Sequence, residues 1–208
     1  MNFKDFIKKV DELKSLKLGG LDAQFKMAPK LRLKYNKDKI DANNPRKAAV
    51  LALFYPDENN KTKLLLTQRA SYKGTHSAQI SFPGGKVEKS DTSLKETALR
   101  EAQEEVGIHP STVNIIRELT DVYIPPSNFL ATPFIGFVDK KPLLVINHEV
   151  DRIIEVFVSD LLDDVNITTV NLTTSYMKNI DVPCFNIDNH IIWGATGMML
   201  SEIKELLK

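Results

Sequence analysis

Residues 85–108 read GKVEKSDTSLKETALREAQEEVGI, and the rest of the chain is organised around this stretch. Ser93-Leu94-Lys95-Glu96 has the form of a capping box, with Ser93 as N-cap and Glu96 reaching back, and Gly107 supplies the residue type that ends a helix in the left-handed conformation. The spacing predicts a helix that begins near Leu94 and ends around Gly107. At about 100° per residue, Leu94, Ala98, Ala102 and Val106 form its buried stripe, with Glu101 and Glu105 at the margin and Glu104 just beyond. Glu101 and Glu105 are i,i+4 neighbours, so they repel by a few tenths of a kcal/mol when exposed and by more beside a low-dielectric sheet. Arg100 stands four residues before Glu104 and can pair with it, but leaves the Glu101/Glu105 pair undischarged.

Outward from this helix, Gln79-Ile80-Ser81-Phe82 is a short apolar run ending at Pro83-Gly84-Gly85, which gives the order strand, glycine loop, helix. Two apolar runs, Ala48 to Tyr55 and Lys63 to Gln68, flank Pro56-Asp57-Glu58-Asn59-Asn60 and read as a hairpin. Residues 3–18 place Phe3, Phe6, Ile7, Val10 and Leu13 at helical spacing before Gly19-Gly20. Residues 21–47 carry eight Lys or Arg against three Asp, and Pro29 and Pro45 deter long helices. Such a segment reads as a solvated connector or, more sharply, as an arm facing an anion. Beyond the central helix, strands are expected at 113–124, 133–138, 153–158, 168–172, 182–187 and 190–193, with a closing helix from about 197. Strands with helices among them predict an α/β or α+β sandwich, a mixed sheet covered by helices.

Composition removes several classes of function. With 208 residues, 42% hydrophobic and 26% charged, the chain has the make-up of one ordinary globular domain with extra elements. Its 28 Lys and Arg against 27 Asp and Glu leave a formal charge of +1, so no global field recommends nucleic acid or a membrane as partner. Cys184, the single cysteine, has no internal disulfide partner, and no nearby residue marks it as a nucleophile, so a buried inert thiol is expected. Lys4, Asp5, Lys8 and Lys9 interrupt every early apolar run, which makes a cytoplasmic location the expectation.

Paired glutamates at a core margin call for a positive charge. A hard divalent cation, Mg²⁺ or Mn²⁺, takes a few carboxylate oxygens, keeps waters and completes its shell with substrate phosphates. Gly84 and Gly85, with no Cβ, let the loop backbone approach a phosphate just ahead of the same helix.

The string from Gly85 to Ile108 resembles the Nudix box, G-x5-E-x7-R-E-U-x-E-E-x-G-U with U a bulky aliphatic residue. Arg100 to Ile108 matches, with Ala102 at one aliphatic position. The first half departs, since Asp91 is the acidic residue and eight residues separate it from Arg100. The longer loop is similar to the coenzyme A pyrophosphatase subfamily. The upstream signature of that subfamily resembles Leu65-Leu66-Thr67-Gln68-Arg69 followed by Phe82-Pro83-Gly84-Gly85. Between those halves Gly74 replaces the signature's basic residue, with Lys73 beside it, and Ala78 replaces its glycine. Further similar patterns are Ala48-Ala49-Val50, Pro126-Ser127-Asn128-Phe129, Thr132-Pro133-Phe134, Glu149-Val150, Glu155-Val156-Phe157 and Trp193-Gly194-Ala195-Thr196, so the resemblance covers most of residues 48–207.

The resemblance implies a Nudix-type α/β/α sandwich over residues 48–208, with residues 1–47 as a helical extension of the same domain. It implies hydrolysis of the pyrophosphate of coenzyme A or its thioesters, with Glu101, Glu105 and Glu104 as metal ligands. Glu149 is the candidate general base, with Glu155 behind it. Arg69, Lys73, Gly84 and Gly85 are the candidate substrate-binding residues, because cationic side chains and bare backbone suit phosphates. Competing readings keep the chemistry but take ADP-ribose, NADH or another nucleoside diphosphate derivative, or make the fold a nucleotide-sensing module without turnover. Oligomeric state, a homodimer included, stays open.

Overall fold

Ala48-Ala49-Val50-Leu51-Ala52-Leu53-Phe54-Tyr55 is apolar at every position, the pattern of a strand buried on both faces. In the computed structural model, which describes residues 1–35, 37–70, 79–174 and 177–208, this segment is the spine of the molecule. The elements run α1 (Phe3–Ser15), α2 (Gly20–Phe25), α3 (Lys37–Ala42), β1 (Arg46–Pro56), β2 (Thr62–Arg69), β3 (Ile80–Ser81), β4 (Gly84–Lys86) and α4 (Leu94–Val106). They continue through β5 (Asn114–Glu118), β6 (Val122–Ile124), β7 (Phe129–Phe137), β8 (Val150–Phe157), α5 (Val158–Leu162), β9 (Ile167–Leu172), β10 (Ile180–Ile187), β11 (His190–Ile192) and α6 (Gly194–Leu207).

β1 lies parallel to β7 along nearly its whole length, and its other edge is shared by two antiparallel partners. β4 covers Ala48 to Val50, and β2 covers Phe54 to Pro56. β8 and β3 extend the sheet beyond β2, while β5 and β6 both pair with β7. A smaller antiparallel sheet has the order β11-β10-β9.

Alternation along β1 builds the layers. Ala49, Leu51, Leu53 and Tyr55 pack with Ala98, Ala102 and Val106 of α4. Ala48, Ala52 and Phe54 point to the opposite face, into a cluster with Phe6 and Leu13 of α1 and Met199 and Ile203 of α6. Phe6 stacks on Phe54 with ring centroids 4.8 Å apart, which seats α1 on the sheet. The result is the expected α/β/α arrangement with a mixed sheet.

Several boundaries differ from the sequence reading. Ile7 is 36% exposed and lies off the buried stripe of α1. The strand expected over 113–124 is two strands, because after Leu119, whose N–H still bonds the Pro133 carbonyl, the backbone leaves the ladder at Thr120–Asp121, where Thr120 turns to Glu202 and Asp121 accepts from the Thr132 hydroxyl. β7 and β8 start earlier than expected, and α6 starts at Gly194. A register shift puts Gln68 opposite Arg152 and Arg69 opposite Val150, so Asp151 is an extra residue, a β-bulge next to the sheet end that carries Arg69.

The first part of residues 21–47 is packed rather than solvated, while most of residues 38–47 are exposed, as a connector would be. Ala23, Gln24, Met27 and Ala28 are buried, and the contact that holds them is Glu202, fully buried on α6. Its carboxylate accepts from the Gly20 N–H (3.0 Å), the Gln24 amide (3.2 Å), the Thr120 hydroxyl (2.7 Å) and the Thr120 N–H (3.3 Å). Four donors make a buried carboxylate tolerable, and removing it strands them all. Glu202→Ala is therefore expected to lower the unfolding free energy by at least about 3 kcal/mol in urea titration, and Glu202→Gln, which keeps an acceptor oxygen, by less.

Candidate active site

α4 begins as its sequence predicts. The Ser93 hydroxyl accepts the Glu96 N–H (3.2 Å), and Gly107 closes the helix at φ 75°. Glu96 reaches one residue further back than the capping box requires, taking the Thr92 N–H (2.7 Å) and hydroxyl (2.6 Å). The helix lies across β1 and β4, so Glu101 and Glu105 face the two glycines. A Cβ on Gly85 would stand 2.5 Å from the Glu101 carboxyl, and one on Gly84 would stand 2.4 Å from the Ala49 carbonyl oxygen. The bare backbone expected here thus serves close approach to a carboxylate and to β1, and both glycines also line the cleft described below.

Glu105 is 4% exposed and accepts the Gly84 N–H at 3.0 Å. Burial pushes its carboxyl up to about 7, and the nearby Glu101 and Glu149 push the same way; the Gly84 bond and Arg69 oppose them. Burial also raises Glu101, against the pull of Arg100. Both groups sit where ionisation is costly without added positive charge.

The departing half of the box has a defined role. Asp91 takes Arg100 in a two-point pair, Nε to Oδ1 at 2.9 Å and Nη2 to Oδ2 at 3.0 Å, and also accepts from the Glu88 N–H and the Thr97 hydroxyl. These bonds, that with Arg100 foremost, hold the Asp91 carboxyl well below the usual carboxylate range. Arg100 additionally donates to the Lys86 carbonyl of β4, and its Nη1 reaches both Glu101 (3.0 Å) and Glu104 (3.1 Å). The pairing with Glu101 corrects the sequence reading, which gave Arg100 to Glu104 alone.

Glu149 arrives from a different part of the chain. The loop before β8 is tied to the end of α4 by Val145 N–H to Val106 O (3.0 Å) and Asn147 N–H to Glu105 O (3.1 Å). The Asn147 side chain then accepts the Glu149 N–H at 2.9 Å. Arg69 spans the gap, with Nη2 3.1 Å from Glu149 and Nη1 3.9 Å from Glu105. Glu155 is elsewhere, accepting from the buried Tyr55 hydroxyl (2.8 Å) with Lys63 nearby, a pairing that fills a structural role. Lys73, Gly74 and Ala78 lie outside the described residues.

Glu101, Glu104, Glu105, Glu149, Arg69, Gly84 and Gly85 line one cleft of about 720 Å³. Its donors are carboxylate oxygens, the set that suits a hard divalent ion, and the two most buried are the two whose ionisation is opposed. Among the described residues no three His, Cys, Asp or Glu side chains stand together at metal-holding distance; Arg100 bridges Glu101 and Glu104, and Arg69 bridges Glu105 and Glu149. The cleft also includes residues that sequence reasoning did not assign to the site. Arg32 is one, its only signal being the basic character of residues 21–47, and Trp193 is another. Asn147 was also missed, although Asn two residues before a strand-entry Glu is a turn signal.

A glutamate-bearing helix laid against a glycine strand, on a mixed sheet between helical layers, is the build of a phosphoanhydride hydrolase of the Nudix type. The NUDIX domain model matches residues 45–162. The uncharacterized Nudix hydrolase NudL of Citrobacter koseri is 33% identical over 162 residues, 77% of this chain and 82% of its own length. Nudix hydrolase 22, chloroplastic, of Arabidopsis thaliana is 30% identical over 163 residues; the match takes in 75% of this chain but only about half (53%) of the plant protein. A MutT/nudix family protein from Enterococcus faecalis shares the fold, with a TM-score of 0.53 at 14% identity over 84% of this chain and 64% of its own. The chain belongs to the Nudix hydrolases and is a pyrophosphohydrolase, of a class that generally works with divalent metal ions.

Two outcomes test the electrostatics. Asp91→Asn is expected to cost about 3 kcal/mol of stability at neutral pH. Because the folded carboxyl titrates below its ordinary value of 3.8, the difference from wild type is complete above that value and shrinks as pH falls through it, measured by urea unfolding across pH. Glu105 has the opposite sign. In chelator, wild-type stability falls as pH rises from the ordinary 4.5 through about 7, because the unfolded chain ionises first. Glu105→Gln lacks that slope, so its melting temperature gains on wild type toward alkaline pH.

Proposed function

We propose that the protein hydrolyses the pyrophosphate linkage of coenzyme A or acyl-coenzyme A, with Mg²⁺ or Mn²⁺, to 3′,5′-ADP and 4′-phosphopantetheine or its acyl derivative. The observation that carries this reading is that both halves of the coenzyme A signature end in the same cleft as the box. Arg69 closes LLTQR at the end of β2, and Gly84 and Gly85 close FPGG on β4, beside Glu101 and Glu105.

Glu101 and Glu105, with Glu104, are the residues to hold the ion. Bound there, a divalent cation supplies charge neutralisation for the pyrophosphate and lowers the pKa of an attacking water. Arg69, already between two carboxylates, is within reach of a phosphate brought to them, and its planar fork suits that ligand. Glu149, held by Asn147 and facing Glu105 across Arg69, is the base that takes the proton from water. Water adds across the P–O–P linkage, one phosphorus gaining its oxygen while the other phosphate leaves with the bridging oxygen.

Incubation with coenzyme A, ADP-ribose and NADH side by side, read by product masses, tests the assignment. Release of 3′,5′-ADP in the presence of Mg²⁺ or Mn²⁺ is expected, and turnover of ADP-ribose or NADH without coenzyme A would overturn it. Glu105→Gln is expected to lose turnover by about two to three orders of magnitude while staying folded, since it removes a charge made useful only by the ion.

A further inference from the structure

The cleft extends well beyond the glutamates, and its far end carries a cation from outside the box. Arg32 lines it, in the turn of helix at Lys30–Lys34 ahead of α3. Its Nη1 donates to the Tyr123 carbonyl (2.5 Å) and approaches the Met198 sulfur at 3.6 Å, so β6 and α6 together hold the guanidinium at the wall. From β6 the sheet steps to β7, to β1 and to β4, where Gly84 and Gly85 meet the glutamates. Three strand spacings make this about 14 Å. The floor between is largely apolar, formed by Ala48, Val50, Phe129 and Ala131, with the Arg46 guanidinium over the Phe129 ring at 4.1 Å.

An acidic end that wants an ion, an apolar middle and a cationic far end describe the shape of the missing ligand. We infer that Arg32 receives a phosphate of the substrate remote from the scissile linkage, with the nucleoside lying over the apolar floor between. The cleft volume of about 720 Å³ is in the range of a site that encloses one such ligand. A guanidinium offers several N–H donors in one plane, the geometry that a phosphate accepts best. The segment ahead of the catalytic domain thereby becomes a specificity element. This inference rests on the cleft being the pyrophosphate-hydrolysing site, but it does not require coenzyme A to be the substrate.

The test is binding, which separates it from the turnover assay. Adenosine 3′,5′-bisphosphate and AMP are titrated calorimetrically, with Mg²⁺ present, against wild type, Arg32→Gln and Arg32→Lys. Wild type is expected to prefer the bisphosphate by at least about tenfold, the worth of one charge-assisted hydrogen bond. Arg32→Gln, which can still donate to the Tyr123 carbonyl, is expected to bind the two alike with AMP affinity unchanged, and Arg32→Lys to keep part of the preference. Equal affinity in wild type, or a full preference surviving in Arg32→Gln, overturns the inference. Should Arg32→Gln disturb the fold, the wild-type comparison and Arg32→Lys still decide. Absence of coenzyme A turnover alongside a bisphosphate preference that depends on Arg32 would sink only the substrate assignment.

Discussion

Keeping two carboxyls of one helix near the apolar interior is the constraint on which the molecule turns. Glu101 and Glu105 cannot both ionise comfortably where they sit, since burial raises both, Glu101 pushes Glu105 further up, and Glu104 and Glu149 do the same to Glu101. The surroundings answer with whatever positive character the fold can bring there. Arg100 comes from the helix itself, Arg69 from the end of β2 and the Gly84 N–H from β4. Those three donors draw two strands and a helix to one point, and the glycines are small because the carboxylate and β1 leave no room for more.

The rest of the architecture serves that point from a distance. Asp91 fixes Arg100, so the loop between β4 and α4 is a clamp rather than a bare connector. The last carbonyls of α4, at Glu105 and Val106, which a helix must satisfy somehow, are given to Asn147 and Val145; the same bonds that finish the helix aim the segment bearing Glu149 at its side. On the opposite face of the sheet, Glu202 performs a purely structural task with the same residue type. Four neutral donors surround it, and it is not among the residues that line the cleft.

Legibility in the sequence followed the range of the physics. The helix from Leu94 to Val106, its caps and the hairpin of β1 and β2 are local patterns, and they were readable to within a residue or two. The carboxylates on one face were readable too, because the helical period fixes their angles. Arg100 touching Glu101 was not, since the choice among three acids depends on where Asp91 anchors the other end of the guanidinium. Nor was the packing of Ala23 to Ala28, because a basic, proline-punctuated segment looks solvated until a buried acceptor such as Glu202 is placed opposite its first part. Glu155 shows the reverse error, a carboxylate close in sequence to the active loop whose strand position turns it toward Tyr55.

The extra residue in β8 carries a consequence of its own. Consecutive residues of β2, Gln68 and Arg69, face Arg152 and Val150, so the inserted residue is absorbed as a local bend with the pairing kept on both sides. Asp151 is that insertion, placed after Glu149 and before the regular part of the strand. A chain that lost Asp151 would still set Val150 opposite Arg69 and would lose only that bend, so the extra residue governs the angle at which the segment bearing Glu149 enters the sheet, not the layer it faces.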